Sequence, residues 1–414
     1  MAFSFIHCAD LHLDTPFSCR KSDEKIYSMF YGSTFKALSK VVDLAIQNSV
    51  NFVLFAGDIY DVADKSLHAQ IIFRNELERL AERDIRAFIC HGNHDHLQGT
   101  RVSITYPDTA YFFGGDEVET IPVTLKGRDI ACIYGISHAE PEMERNLAIK
   151  FKRRGKDPFS IGLLHANVEG MSGHGPYAGC RLEELVESGM DYWALGHIHK
   201  AEKLREYAPF VLYPGNTQGR NVKESGPKGC YLVNVSDSGK VNEKFLPTAE
   251  VIWVQKEISI EGMASIQEFE ERIREETKNI SREINSEYIA IRLHATGQGP
   301  LHKELKSDEN REDLRISLNM ENEGVWIESL EAPTALKADR RLLIRGDDLI
   351  ASFLQEARRM LEDCGAQNQM KEQLQQLFNR KAVKDLLGME DVEISQYIEP
   401  AVNYGIDLLY REDE

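Results

Sequence analysis

Five apolar runs in this chain each end, within a few residues, on a histidine, an aspartate or an asparagine. Phe3-Ser-Phe-Ile-His-Cys8 leads to Asp10 and His12, Asn51-Phe-Val-Leu-Phe-Ala56 to Asp58, and Arg86-Ala-Phe-Ile-Cys-His91 to Asn93, His94 and Asp95. Ser160-Ile-Gly-Leu-Leu164 leads to His165, and Asp191-Tyr-Trp-Ala-Leu195 to His197 and His199. Short apolar runs bounded in this way read as buried strands. Amphipathic helical stretches, Thr34–Asn48 and Leu67–Glu82, fall between them. In open α/β sheets, ligands bind beyond the carboxyl ends of the strands, so all five loops can converge on one site. The two-residue spacing of Asp10 with His12, and of His197 with His199, puts each pair on one face of extended backbone.

The donor types define the chemistry. Imidazole and oxygen ligands without thiolate suit Mn²⁺, Fe²⁺ or Zn²⁺ and argue against a structural zinc site. One carboxylate can bridge two ions about 3.5–4 Å apart, a spacing typical of phosphatases and nucleases. Asp58 is the natural bridge, as the one strand-end carboxylate without a neighbouring histidine. A single such histidine would read equally well as a core or surface residue; a whole set beyond strand ends does not. Two divalent ions activating water against a phosphate ester is the chemistry this set implies.

The blocks Ala9-Asp-Leu-His-Leu13, Gly57-Asp-Ile-Tyr-Asp61, Gly92-Asn-His-Asp95, Leu164-His-Ala-Asn-Val168 and Ala194-Leu-Gly-His-Ile-His199 resemble the calcineurin-like metallophosphoesterase superfamily. Within it they most resemble the SbcD-like DNA repair nucleases, and above all the bacterial YhaO-type exonucleases. Tyr213-Pro-Gly-Asn-Thr-Gln-Gly-Arg220 strengthens the narrower likeness, which covers roughly residues 3–247. The resemblance implies one metal held by Asp10, His12, Asp58 and His199, and a second held by Asp58, Asn93, His165 and His197. It implies that His94 contacts the scissile phosphate as general acid, with Asp95 orienting its ring. An imidazole titrates near neutral pH, at about 6.5, which suits that role. It also implies a two-sheet αββα sandwich.

Composition frames these expectations. The chain has 414 residues, 42% of them hydrophobic and 28% charged, which suits two or three soluble domains. No apolar run reaches the roughly 18 residues of a membrane span, and a signal-peptide pattern is absent from the N-terminus. Seven scattered cysteines without a C-x-x-C pair suggest reduced thiols and a cytoplasmic location. The net charge of −18 runs against simple DNA binding, which usually relies on basic patches. The best local clusters are Lys152-Arg-Arg-Gly-Lys156 and, more loosely, Arg220, Lys223 and Lys228. His7 and His91 read as packing residues. His96, His138 and His174 sit in loops able to border the site, and Tyr177 and Arg220 are candidate substrate contacts. His68, His294 and His302 lack such context.

Three domains are expected. Residues 1–247 form the metallophosphoesterase domain, closing with strands at Phe210–Tyr213, Gly229–Val235 and Lys240–Leu246. Residues 251–335 form a small α+β capping domain with a strand at Val251–Ile260, a helix at Ala264–Lys278 and a strand at Tyr288–Leu293. Two further elements follow, at Glu312–Leu318 and Gly324–Leu330. Residues 346–414 form a helical tail, with helices at Leu349–Asp363, Asn368–Leu377 and Arg380–Leu387. Its 7 basic against 15 acidic residues make it a poor DNA clamp. The stripe Leu349, Phe353, Ala357 and Met360 needs burial against something. The resemblance implies an SbcC-like, SMC-type ATPase partner; packing on the chain itself stays open, as does a homodimer.

The expected activity is that of a dinuclear phosphodiesterase on DNA, Mn²⁺-dependent, a 3′→5′ exonuclease with single-strand endonuclease activity beside it, acting in DNA repair. Two alternatives stay open: a phosphatase or phosphodiesterase of small molecules or phosphoproteins, and a mainly docking subunit of an ATPase complex.

Overall fold

The computed structural model describes residues 1–15, 24–61, 66–99, 104–141, 146–168, 179–284, 286–321, 324–378 and 395–409. The chain groups into two compact units. One comprises Met1–Val254, Ile284–Ile291 and Gly324–Trp326, the other Gln255–Glu283, Arg292–Glu323 and Ile327–Glu414.

Two six-stranded sheets, counted among the described residues, build the first unit. In one, β1 (Phe3–Cys8), β2 (Phe52–Ala56), β3 (Arg86–Cys90) and β4 (Ala110–Phe112) run parallel in that order. The antiparallel strands β11 (Gly229–Val235) and β12 (Val241–Pro247) extend it beyond β1. In the other, β6 (Arg128–Gly135), β7 (Phe159–His165), β8 (Tyr192–Gly196) and β10 (Phe210–Tyr213) run parallel. Antiparallel β5 (Glu119–Leu125) and β9 (Glu202–Arg205) close its two edges.

Strand alternation explains the layering. Phe5, Phe52, Leu54 and Phe88 of the first sheet share one core with Ile161, Leu163, Tyr192 and Leu212 of the second. The alternate residues Ile6, Val53, Phe55 and Ile89 pack under Leu38, Val41, Phe73 and Leu77 of helices α1 (Glu24–Gln47) and α2 (Leu67–Ala81). Trp193 and Leu195 turn the other way, onto Phe151 and onto Leu185, the latter in α3 (Leu182–Glu187). The result is the expected αββα sandwich. Because the central strands are buried on both faces, they read as continuous apolar runs rather than alternating ones.

Some elements differ from the sequence reading. α1 starts at Glu24, ahead of Thr34. Ser33 lies inside that helix, its hydroxyl donating back to Phe30 O at 2.6 Å. β4, β5, β6 and β9 had no sequence counterpart. β5 is an edge strand that tolerates Pro122 and is mostly half-exposed, so its apolar signal is weak.

The stretch from 251 carries a three-stranded sheet in the order β13 (Val251–Ser259), β14 (Tyr288–Thr296), β15 (Val325–Glu331). Its helices are α4 (Ile266–Glu283), α5 (His302–Lys306) and α6 (Asp308–Glu321), and α6 contains the segment Glu312–Leu318. After α7 (Arg340–Leu343), three tail helices are described, α8 (Leu349–Glu362), α9 (Cys364–Phe378) and α10 (Ser395–Leu409); Arg380–Leu387 lies outside the described residues.

The apolar stripe of α8 is core within the second unit, on a face rotated from the expected one. Ile350, Leu354 and Ala357 pack against Ile398, Val402 and Ile406 of α10, with Phe353 and Met360 at the border. Leu349 is 69% exposed. His302, buried, links α10 to the preceding segment through Asp407 Oδ2 at 2.8 Å and Thr334 Oγ1 at 2.9 Å. No helix among the described residues is long and apolar enough to cross a membrane.

Candidate metal centre

The strand ends deliver their side chains through strained turns. Asp10, His12, Asp58 and His197 all adopt positive φ, at 52°, 43°, 50° and 106°. Such backbone costs on the order of 1–3 kcal/mol per residue and persists only where its surroundings over-determine it. Here the loops after β1 and β2 are zipped together, Asp10 N to Gly57 O at 3.1 Å and His12 N to Asp58 O at 3.0 Å. His197 N donates to both carboxylate oxygens of Asp10, at 3.1 and 3.2 Å.

Glycines let these loops close. A Cβ at Gly57 would overlap the His165 ring, and one at Gly196 would overlap Ala56 O. At Gly92 it would overlap Asp58 Oδ1 and lie 2.8 Å from His165 Nε2. All three obstacles are backbone or fully buried side chains with nowhere to move. Gly92→Ala is therefore expected to displace Asp58 and His165 and to release bound metal while the remote core survives. Metal analysis beside circular dichroism checks this; full metal content in the variant would refute the crowding argument.

Seven candidate ligands come together. His12 Nε2 and His199 Nε2 are 3.1 Å apart. His165 Nε2 lies 3.0 Å from Asn93 Oδ1, and His197 Nδ1 lies 3.3 Å from the same oxygen. Asp58 Oδ2 stands between the two halves, 3.7 Å from His12 Nε2 and 3.3 Å from His165 Nε2. Ligand atoms of Asp10, His12 and His199 lie within 4.8 Å of one another, as do those of Asp10, Asp58 and His165.

The donor set fits divalent cations. Asp10, His12, Asp58 and His165 are all buried. Among the described residues, the ion pairs of Asp10 and Asp58 are with histidines alone. Burial pushes the Asp10 carboxyl above its ordinary range, against His165 and His199. Burial also opposes ionisation of Asp58, but His165 and His12 outweigh it and hold that carboxyl well below its usual value. For His165, burial is outweighed by Asp58 and Asp10, and its pKa rises to about 9. Burial lowers His12 to about 4, with Arg220 adding to the effect. The residues could thus hold two ions, one on each side of Asp58.

These strand-end ligands and their spacing accord with a family likeness across the whole region. Residues 3–201 match the model of the calcineurin-like phosphoesterases. The chain contains a calcineurin-like phosphoesterase domain. Residues 253–335 match the middle domain of metallophosphoesterase YhaO. The chain is 41% identical over 258 residues to the "Uncharacterized metallophosphoesterase YhaO" of Bacillus subtilis, covering 62% of this chain and 63% of that one. It is 26% identical over 249 residues to the "DNA double-strand break repair protein Mre11" of Saccharolobus solfataricus, covering 56% of this chain and 60% of that one. A protein of the same name from Sulfurisphaera tokodaii is 28% identical over 206 residues, 47% of this chain and 48% of the relative. Each match thus spans less than two thirds of the relative's own length.

Around the candidate ligands, several residues stand elsewhere than expected. Asp95 does not supply the contact that orients His94. Its bonds go to Gly92 N at 2.7 Å, Ile59 N at 3.2 Å and His91 Nδ1 at 2.9 Å, so it braces the loop. The His94 ring is held instead by the backbone carbonyl of Asp61, at 2.8 Å from Nδ1. Of the set, His94 alone has an exposed side chain. His138 donates to His165 O at 2.7 Å, and His7 lies between Tyr192 Oη and Leu195 O, where burial lowers it to about 3. His174 and Tyr177 lie outside the described residues.

Of the basic residues in the two clusters, Arg153, Arg220 and Lys228 are committed within the domain, whereas Lys152, Arg154, Lys156 and Lys223 are exposed. Arg220 is paired with Asp61 at 2.5 Å and Glu224 at 3.3 Å. Lys228 is buried and donates to His199 O at 2.7 Å. Arg153 donates to Asp191 and to the carbonyls of Asp157, Pro158 and Gly189. Asp61 and Glu224 received no role from sequence. Burial opposes ionisation of Glu224, yet the His199 hydrogen bond and the Arg220 charge hold its carboxyl well below its usual range. Their one sequence signal is spacing: Asp61 ends the Gly57-Asp-Ile-Tyr-Asp61 block, and Glu224 follows Arg220 by four.

Proposed function

We propose that this chain is a dinuclear phosphodiesterase acting on DNA, a Mn²⁺-dependent 3′→5′ exonuclease of DNA repair with single-strand endonuclease activity. The observation that carries the reading is the convergence of seven imidazole, carboxylate and amide donors from five strand ends, with His94 exposed beside them. Asp10, His12, Asp58 and His199 would hold one ion, and Asp58, Asn93, His165 and His197 the other. When bound, such ions lower the pKa of a coordinated water and neutralise charge on the phosphoryl oxygens. The carbonyl of Asp61 can only accept, so it keeps the proton of neutral His94 on Nδ1 and leaves Nε2 to face substrate. A protonated His94 can then give its Nε2 proton to the departing oxygen. The likeness to relatives named for DNA double-strand break repair supports DNA as the substrate.

The same reading assigns residues 1–247 to the nuclease domain, 251–335 to a capping domain and 346–414 to a tail that docks an SbcC-like ATPase in the cytoplasm. The match over 253–335 supports the capping module.

One observation favours a second reading, hydrolysis of small phosphoesters or phosphoproteins. The net charge is −18, and Arg153, Arg220 and Lys228 are bound internally. Turnover of bis-p-nitrophenyl phosphate is compared with that of the monoester, followed by end-labelled single- and double-stranded DNA in Mn²⁺, Mg²⁺ and Zn²⁺. Diester preference with stepwise shortening of DNA supports the first reading. Monoester preference with intact DNA in all three metals establishes the second.

A further inference from the structure

We propose that Glu224 is the positioning residue that fixes the tautomer and aim of His199, with Arg220 bracing it rather than contacting substrate; this rests on the two-metal reading above. Glu224 ends a short 3-10 turn, Val222–Glu224, capped by Asn221, whose Oδ1 accepts from Lys223 N at 2.9 Å. Its carboxylate accepts four hydrogen bonds. Oε1 takes His199 Nδ1 at 2.7 Å and Arg220 Nη2 at 3.3 Å. Oε2 takes Arg220 N and Asn216 Nδ2, both at 2.8 Å. An ionised carboxylate has about four lone-pair sites and no proton to give, so all its capacity is used.

Nδ1 of neutral His199 therefore carries the hydrogen toward Oε1 at 2.7 Å, the Arg220 Nη2 donor lying farther off at 3.4 Å, and the lone pair is left on Nε2. That Nε2 faces His12 Nε2 across 3.1 Å, in the ligand group shared with Asp10. The support reaches His12 as well. Arg220 Nη1 donates to Asp61 Oδ1, which itself lies 3.1 Å from His12 Nδ1. The turn is pinned from behind. Gln218 Nε2 donates to Val251 O at 2.8 Å, Gln218 Oε1 accepts from Glu250 N at 2.8 Å, and Trp253 Nε1 donates to Gly219 O at 2.9 Å. His199 is also gripped by its own backbone, through Lys228 Nζ on its carbonyl.

Glutamine at 224 keeps the size but not the acceptors. Its amide NH₂ must face either the His199 ring or the donors from Arg220 and Asn216. Histidine ligands lose about 10–100-fold in metal affinity when such an outer partner is removed.

Two measurements on the full chain test the proposal. In the metal-free wild type labelled with ¹⁵N-histidine, long-range ¹H–¹⁵N spectra should show His199 as the Nδ1–H tautomer, assigned by its loss in His199→Gln. An Nε2–H tautomer overturns the proposal. Calorimetric titration with Mn²⁺ should find two ions in the wild type. In Glu224→Gln, folded by circular dichroism, one ion should keep its affinity and the other weaken by about 10–100-fold. Two unchanged affinities in the variant overturn the proposal. Fewer than two ions in the wild type overturns the two-metal reading instead, and the tautomer still decides the role of Glu224.

Discussion

Replacing Asp58 by asparagine should abolish turnover and release at least one bound ion. The two oxygens of Asp58 have separate duties. Oδ1 accepts from His94 N at 3.0 Å, which holds the loop that carries the proposed general acid. Oδ2 lies 3.7 Å from His12 Nε2 and 3.3 Å from His165 Nε2, near imidazoles of both halves of the cluster. An amide has one oxygen. If that oxygen keeps the bond from His94 N, the NH₂ group falls between the two imidazoles, where it repels a cation. If it turns the other way, the loop loses its anchor. Asp58 is buried, so water cannot readily replace the lost oxygen. The variant also removes the charge that holds His165 up at about 9. Metal analysis after dialysis, beside a thermal melt, checks the expectation. Two ions retained per chain would remove Asp58 from the bridging role.

What the amino-acid sequence made legible was the part written in side chains along single strands. Phe52 to Ala56 is apolar at every position because each face of β2 lies in a core, and Asp58 follows because the strand must end where the loops meet. The same logic exposed Asn93, His165 and His197. What escaped was written in backbone or across long separations. The group that orients His94 is a carbonyl, and a carbonyl has no sequence signature. Asp95 looked suitable because it adjoins His94, yet adjacent residues on a tight turn point apart, and its carboxylate turns to His91 and the loop amides. Arg220 read as a candidate substrate contact; its partner Asp61 lies 159 residues away in sequence. Edge strand β5 escaped because half-exposed residues blur the alternation that buried strands make plain.

The tail teaches a related lesson about periodicity. A period near 3.6 announces an amphipathic helix but fixes its buried face only to within about one residue. Leu349, Phe353, Ala357 and Met360 keep helical spacing, and so do Ile350, Leu354 and Ala357; the second set is buried against α10, with Phe353 and Met360 half-buried beside it and Leu349 exposed. Much of the apolar signal that suggests a partner is thereby used within the unit itself. A partner that docks here must use residues that remain exposed, such as Leu349, Tyr404 and Leu408.

His94→Gln should leave both ions in place and lower kcat by about 10²-fold or more, the range of general acid catalysis. The ring is suited to that role by what surrounds it. The Asp61 carbonyl accepts from Nδ1 at 2.8 Å, and the backbone amide of His94 is tied to Asp58, so Nε2 is the nitrogen available to substrate. Its exposed side chain sets it apart from the buried candidate ligands Asp10, His12, Asp58 and His165. Glutamine can still hydrogen-bond a phosphoryl oxygen but cannot deliver a proton to a departing alkoxide. Leaving groups should therefore separate the two functions. A p-nitrophenyl diester, whose phenolate needs no proton, should lose much less activity than DNA or an alkyl diester in the same variant. An equal loss on both would assign His94 to binding rather than proton transfer. A competing role is visible in the geometry, since ligand atoms of His94, His12 and Asp61 lie within 4.8 Å of one another. Metal analysis decides between them: a variant that loses an ion makes His94 a ligand, and the general acid must then be sought elsewhere.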